Sequence, residues 1–183
     1  MSDWRMTPRN TVLVVIDVQE KLMAAMARRA AVVTAADKLI RAARLLEVPV
    51  LFTVQYVKGL GPVCTELAEA TAGLAPIEKM TFSCCGADAF TRALKDAGRQ
   101  RVLLCGVETH VCVQQTALDL LAGGHDVYLA ADAVCSRRDS DGAVALERLR
   151  DRGAVLTTTE AAVYEWLREA GTPQFKQVLP LFR

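Results

Sequence analysis

Short apolar, β-branched runs alternate along this chain with longer stretches of helical periodicity, and that alternation restricts the fold more than any other feature. Runs at 11–18 (TVLVVIDV), 49–55 (PVLFTVQ), 101–107 (RVLLCGV), 126–133 (DVYLAADA) and 154–159 (AVLTTT), with a short one at 75–80 (APIEKM), read as strands. Helical periodicity fills 29–47, 87–98, 111–123, 140–152 and 160–169. Strands that are apolar on both faces, each followed by an amphipathic helix, need cover on both sides. The pattern therefore predicts an α/β fold, a doubly wound three-layer sandwich about a parallel sheet. A length of 183 residues fits one domain over 1–183, and a chain of this size buries roughly 70% of its extended surface.

Charge narrows the partner. Lysine and arginine nearly balance aspartate and glutamate, for a net +1, and no stretch gathers enough like charge for a nucleic-acid groove or an anionic membrane surface. The expected partner is a small molecule, with no nucleic acid and no membrane. The opening MSDWRMTPRN lacks the charged-then-apolar order of a secretory signal, and the longest apolar runs, such as VLVVI, fall far short of a membrane span. A cytoplasmic location is the expectation. The six cysteines, Cys64, Cys84, Cys85, Cys105, Cys112 and Cys135, form no CxxC pair, which suits free thiols in a reducing compartment.

Doubly wound sheets bind ligands beyond the carboxyl ends of their strands. Polar residues at those ends are Asp17 and Gln19 after the first strand, Gln55 and Tyr56 after the second, and Lys79 to Ser83 after the short one. The turn ETHVC follows the strand at 101–107, and Asp132, Ser136 and Arg137 accompany the next. Cys112 falls in the first turn of a helix ending at Gly123-Gly124, where the helix dipole and unpaired N–H groups favour a thiolate.

Each of these residues also has a plainer reading. Cys112 by position alone reads first as a small buried hydrophobe, the usual fate of cysteine. Asp17 begins DVQE, the form of a capping box. Lys79 is either a solvated charge or, within PIEKMTF, a charge that needs a partner. His110 reads as a surface histidine with no catalytic role. With only two histidines there is no zinc-ligand pattern, and GxSxG, GxxxxGK[ST] and GxGxxG are all missing, which argues against nucleotide chemistry.

Taken together, VVIDVQEKL, PIEKMTFS and LLCGVETHVCVQQTALDLL resemble the isochorismatase-like cysteine hydrolase superfamily, in the order Asp, Lys, Cys. The resemblance extends through RLLEVPVLFTVQYVKGLG, DAVCSRRDSD and PQFKQVLPLF, closest to the isochorismatase-domain-containing proteins. It implies a six-stranded parallel sheet and a catalytic triad of Asp17, Lys79 and Cys112. It also implies a cis bond between Val107 and Glu108, with the N–H groups of Glu108 and Cys112 forming an oxyanion hole. Nicotinamidases of the superfamily carry an Asp-x-His metal site after the second strand; the corresponding stretch here is FTVQYVKGLG, so neither metal nor cofactor is expected. Isochorismatases proper lack the cysteine.

The implied activity is metal-independent hydrolysis of a C–N bond in a small amide-like substrate through a Cys112 thioester, with Gln55, Tyr56 and Phe82 lining the pocket. Superfamily members are usually homo-oligomers, and the tail FKQVLPLF could pack on its own core or on a partner. Two rivals use the same fold: a non-catalytic oligomeric interaction protein, and a redox sensor built on Cys112. A sensor needs a resolving thiol nearby, and Cys105, on a buried strand, is poorly placed for that.

Overall fold

The computed structural model describes residues 4–183; the first three residues of the amino-terminal stretch read for a leader lie outside it. Six strands, β1 (Thr11–Ile16), β2 (Val50–Gln55), β3 (Ile77–Lys79), β4 (Arg101–Val107), β5 (Asp126–Cys135) and β6 (Val155–Thr157), form one sheet in the order β3-β2-β1-β4-β5-β6. Every pairing is parallel. The chain moves outward from β1 through β2 to β3, then returns to β4 on the other side of β1. The switch point of the sheet therefore lies between β1 and β4.

The helices are α1 (Glu20–Met23), α2 (Arg29–Leu45), α3 (Val57–Leu60), α4 (Asp88–Ala97), α5 (Gln114–Ala122), α6 (Asp139–Asp151), α7 (Thr159–Leu167) and α8 (Pro173–Val178). Strand alternation sends Leu13, Val15, Leu103 and Cys105 into one core layer with Val32, Ala36, Leu39 and Ile40 of α2. Val12, Val14, Ile16, Val102 and Leu104 face the opposite layer with Phe90 of α4 and Val113, Ala117 and Leu120 around α5. β1 and β4 are buried along their whole lengths, as central parallel strands must be.

The close fit of these two strands is fixed at Gly106. Its φ is 115°, and a Cβ built there would stand 2.0 Å from the Ile16 carbonyl oxygen. Only glycine fits this approach, and the side chain it avoids would strike the neighbouring strand. The Val107–Glu108 peptide that follows is cis.

Most differences from the sequence reading lie at element ends. β1 stops at Ile16 because Asp17 takes a left-handed backbone, φ 52°. β3 and β6 are each three residues long, since only the part facing a neighbour is laddered. β5 runs on to Cys135 because its pairing with β4 shifts register between Leu104 and Gly106. The carboxyl tail packs on its own core: Val178 is fully buried, and the Phe182 ring lies 6.0 Å from Tyr164 and 5.2 Å from Lys38 Nζ. No helix among the described residues is long and apolar enough to cross a membrane.

Candidate active site

Asp17 is the first residue beyond central strand β1, and it is wholly buried. Its carboxylate does not cap α1; Gln19 occupies that position without a side-chain cap bond. Gln19 instead ties the strand ends together: Nε2 donates to the carbonyls of Gln55 and Gly61, and Oε1 accepts from the Gln55 N–H. Asp17 is left facing its neighbours in the sheet. Thr53 of β2 donates Oγ1–H to Oδ1 at 2.8 Å, and Lys79 of β3 donates Nζ–H to Oδ2 at 2.6 Å. Three adjacent parallel strands each supply one member of this cluster.

Lys79 is buried rather than solvated, and its side chain has no exposure at all. Nζ approaches four acceptors: Asp17 Oδ2 and Gln55 Oε1, both at 2.6 Å, Phe82 O at 3.0 Å and Thr81 O at 3.3 Å. An ammonium has three N–H donors, so none is spare. A buried charge left short of partners would cost several kcal/mol, and this one is fully satisfied.

Cys112 lies between β4 and α5 in a π-type turn, Thr109–Val113, closed by the Val113 N–H on the Glu108 carbonyl at 3.2 Å. Its residual exposure is 6%. The helix-end expectation of a standing thiolate does not hold. Burial, reinforced by the nearby Asp17 charge, pushes the thiol up to about 12, while Lys79 pulls the other way. The opposing pull loses because the Lys79 ammonium sits directly on the Asp17 carboxylate and is largely neutralised by it.

A second thiol shares this neighbourhood, and the sequence reading gave it no role. Cys84 is wholly buried; its Sγ lies 3.8 Å from Thr53 Oγ1, and its N–H donates to Thr116 Oγ1 at 2.9 Å. Thr53, Cys84 and Thr116 carried no motif. The visible hint was a hydroxyl inside the otherwise apolar run VLFTVQ.

The three pocket candidates separate. Gln55 is buried, with its amide divided between Lys79 and the Met80 carbonyl, the latter at 2.9 Å. Tyr56 and Phe82 are 44% and 55% exposed at the same edge of the sheet. Glu108, buried, receives the Arg137 N–H at 3.0 Å and meets the Arg137 guanidinium at 3.2 Å. His110 is half-buried, not superficial: Nδ1 lies 2.8 Å from Ser136 Oγ, and Nε2 is 3.9 Å from Asp141. Asp132 accepts the Thr159 N–H in the first turn of α7 at 2.8 Å, while Thr158 caps that helix.

Among the described residues, one group has donor atoms close enough to share a metal ion: Glu20, Cys64 and Glu66, within 4.8 Å of one another. Arg29 already bonds both carboxylates, at 3.1 and 2.8 Å. A guanidinium in that position supplies the charge a cation would bring.

A buried carboxylate–ammonium pair thus stands beyond the strand ends of a doubly wound parallel sheet, the place where such α/β folds bind their ligands. The chain belongs to the isochorismatase domain family, whose model matches residues 11–161. Isochorismatase domain-containing protein 2A of Mus musculus is 39% identical over 180 residues, spanning 98% of this chain and 85% of its own. Isochorismatase domain-containing protein 2 of Homo sapiens is 41% identical over 180 residues, with 98% and 86% covered. A solved structure named MAR1 ribonuclease, from Caenorhabditis elegans, matches with a TM-score of 0.91 at 39% identity, covering 97% of this chain and 92% of that one.

Proposed function

We propose that the protein is a cysteine hydrolase that cleaves a C–N bond of a small amide-like substrate without a metal or cofactor. Cys112 is the nucleophile, Asp17 the base and Lys79 the charge that balances Asp17. The observation that carries this reading is the buried Asp17 carboxylate, held by Lys79 at 2.6 Å and Thr53 at 2.8 Å, with the Cys112 thiol near enough to feel its charge. A protonated thiol becomes a nucleophile only if its proton leaves as it attacks, and Asp17 is the acceptor in reach. Sulfur adds to the carbonyl carbon, the proton passes through Asp17 to the leaving nitrogen, and water then hydrolyses the thioester with Asp17 again relaying the proton. The N–H groups of Glu108 and Cys112 are assigned to the oxyanion.

The name of the solved nematode relative puts RNA forward as a rival substrate. Phosphodiester chemistry needs cations free to meet phosphate oxygens, and Lys79 has no spare donor. The net charge of +1 gives no electrostatic drive toward a polyanion. The small-molecule reading is therefore favoured.

We further propose a homo-oligomer in which a second copy covers the exposed side chains of Tyr56, Met80 and Phe82. Light scattering on the purified protein tests this, and a monomer at micromolar concentration would refute it.

The activity is tested with a panel of small amides, ureides and nitriles, plus a labelled RNA, using wild type and Cys112→Ala side by side. Turnover of an amide that is lost in Cys112→Ala and unaffected by chelators is expected. Cleavage of RNA alone, or amide turnover that survives the substitution, would overturn the proposal.

A further inference from the structure

The Asp17 carboxylate serves two thiols. Cys112 lies near enough for the Asp17 charge to push its thiol up. Cys84 reaches it through Thr53, whose hydroxyl accepts from Cys84 Sγ at 3.8 Å and donates to Asp17 Oδ1 at 2.8 Å. The backbone holds the two cysteines against one another as well. The Cys84 N–H is bonded to Thr116 Oγ1, and Thr116 stands four residues after Cys112, where the π turn Thr109–Val113 runs into α5. Each thiol is also within the other's electrostatic reach, Cys84 adding to the upward push on Cys112. Both thiols belong to the same packed layer, and neither is in a disulfide.

We propose that Cys84 is the resolving thiol of Cys112, so that a hydroperoxide converts the pair into a Cys84–Cys112 disulfide and switches the site off. The inference rests on Cys112 being a nucleophile that Asp17 deprotonates. In the first step Cys112 Sγ attacks one peroxide oxygen; an S–O bond forms, the O–O bond breaks, sulfur is oxidised by two electrons, and the thiol proton leaves through Asp17 with the departing alcohol or water. In the second step Cys84 Sγ attacks the sulfenic sulfur; the S–S bond forms and hydroxide leaves, taking the Cys84 proton through Thr53 and Asp17 as water. The net change is two thiols and one hydroperoxide to one disulfide, one alcohol or water, and one further water. A dithiol reductant reverses it.

This placement answers the objection that Cys105 cannot resolve Cys112. Cys105 points into the core layer on the far face of the sheet, whereas Cys84 shares the layer of Cys112. Cys85, next in sequence, bonds instead to Ser83 Oγ through its N–H, at 3.2 Å. Burial pushes the Cys84 thiol up to about 11, so it also depends on the relay to lose its proton.

The test is peroxide titration of the full chain, read by intact mass and by non-reducing peptide mapping, with no substrate needed. Wild type should lose the mass of two hydrogens, yield one linked peptide joining Cys84 to Cys112, and recover with dithiothreitol. In Cys84→Ser and Cys84→Ala, Cys112 should instead gain two or three oxygens, with irreversible loss of its iodoacetamide labelling at least several-fold faster than in wild type. Wild-type Cys112 that over-oxidises while Cys84 stays free, or a Cys84–Cys85 bridge, overturns the proposal and leaves the nucleophile intact. A Cys112 inert to both peroxide and iodoacetamide overturns the proposal together with the hydrolase reading. If neither variant folds, the wild-type linked peptide decides alone.

Discussion

Lys79 Nζ stands 2.6 Å from Asp17 Oδ2 with both side chains sealed from solvent, the one fully buried ion pair among the described residues. It joins central strand β1 to edge strand β3 across β2. Breaking such a pair leaves one uncompensated charge in the interior, so Lys79→Met should lower stability by about 3–5 kcal/mol. The double substitution Asp17→Asn/Lys79→Met should recover most of that loss. Urea unfolding of the single and double variants measures the coupling; additive losses would show that the two side chains are independent.

Removing the base should make the nucleophile easier to ionise. Asp17 raises the Cys112 thiol and Lys79 lowers it. Asp17→Asn should therefore speed iodoacetamide labelling of Cys112 at pH 8 while abolishing turnover. In wild type, with the thiol pushed up to about 12, the labelling rate should climb roughly tenfold per pH unit from pH 8 to 10 without a plateau. A plateau near pH 8 would mean that the thiolate is already standing.

Alkaline stability should fall early. Burial lifts Cys64, Cys84 and Cys135 to about 11 and Cys105 and Cys112 to about 12 in the folded chain, against about 8.5 when unfolded. Below the unfolded value every thiol is protonated in both states and their contribution is complete. As pH rises past it the unfolded chain releases protons that the folded chain retains, and stability drops until the folded values are passed. Each thiol contributes up to about 1.4 kcal/mol per pH unit in that window. Denaturant midpoints under reducing conditions should decline steeply from pH 9 to 11; a flat profile would place these thiols in contact with solvent.

Gly106→Ala should not yield a stable protein. The new methyl would meet the Ile16 backbone at 2.0 Å, and backbone atoms in the middle of a sheet cannot yield as a flexible side-chain tip can. Soluble expression and thermal melting read this directly; a midpoint within a few degrees of wild type would mean that the β1–β4 approach is looser than described.

The β-branched runs gave away the sheet because parallel strands must be apolar on both faces, a requirement written locally in VLVVI and RVLLCGV. The ends were less readable. Asp17 leaves the strand through a left-handed backbone, and β5 outruns its apolar pattern through a register shift with β4, neither of which has a local composition signal. α1, α3 and α8, at four, four and six residues, are too short to display a period. Asp17, Lys79 and Cys112 were found by resemblance; spacing alone left each with a plainer reading. Thr53, Cys84 and Thr116 matter through contacts between elements distant in sequence, which no local pattern records.

The saturation of Lys79 also bears on how a ligand arrives. A carboxylate and an ammonium locked together inside the sheet form a short dipole, and its potential decays far faster with distance than that of a lone charge. The pair itself therefore adds little long-range field to the solvent, and the chain as a whole carries a net charge of only +1. Encounter is then governed by diffusion and by the shape of the opening, and the association rate of a charged ligand should hardly change with ionic strength.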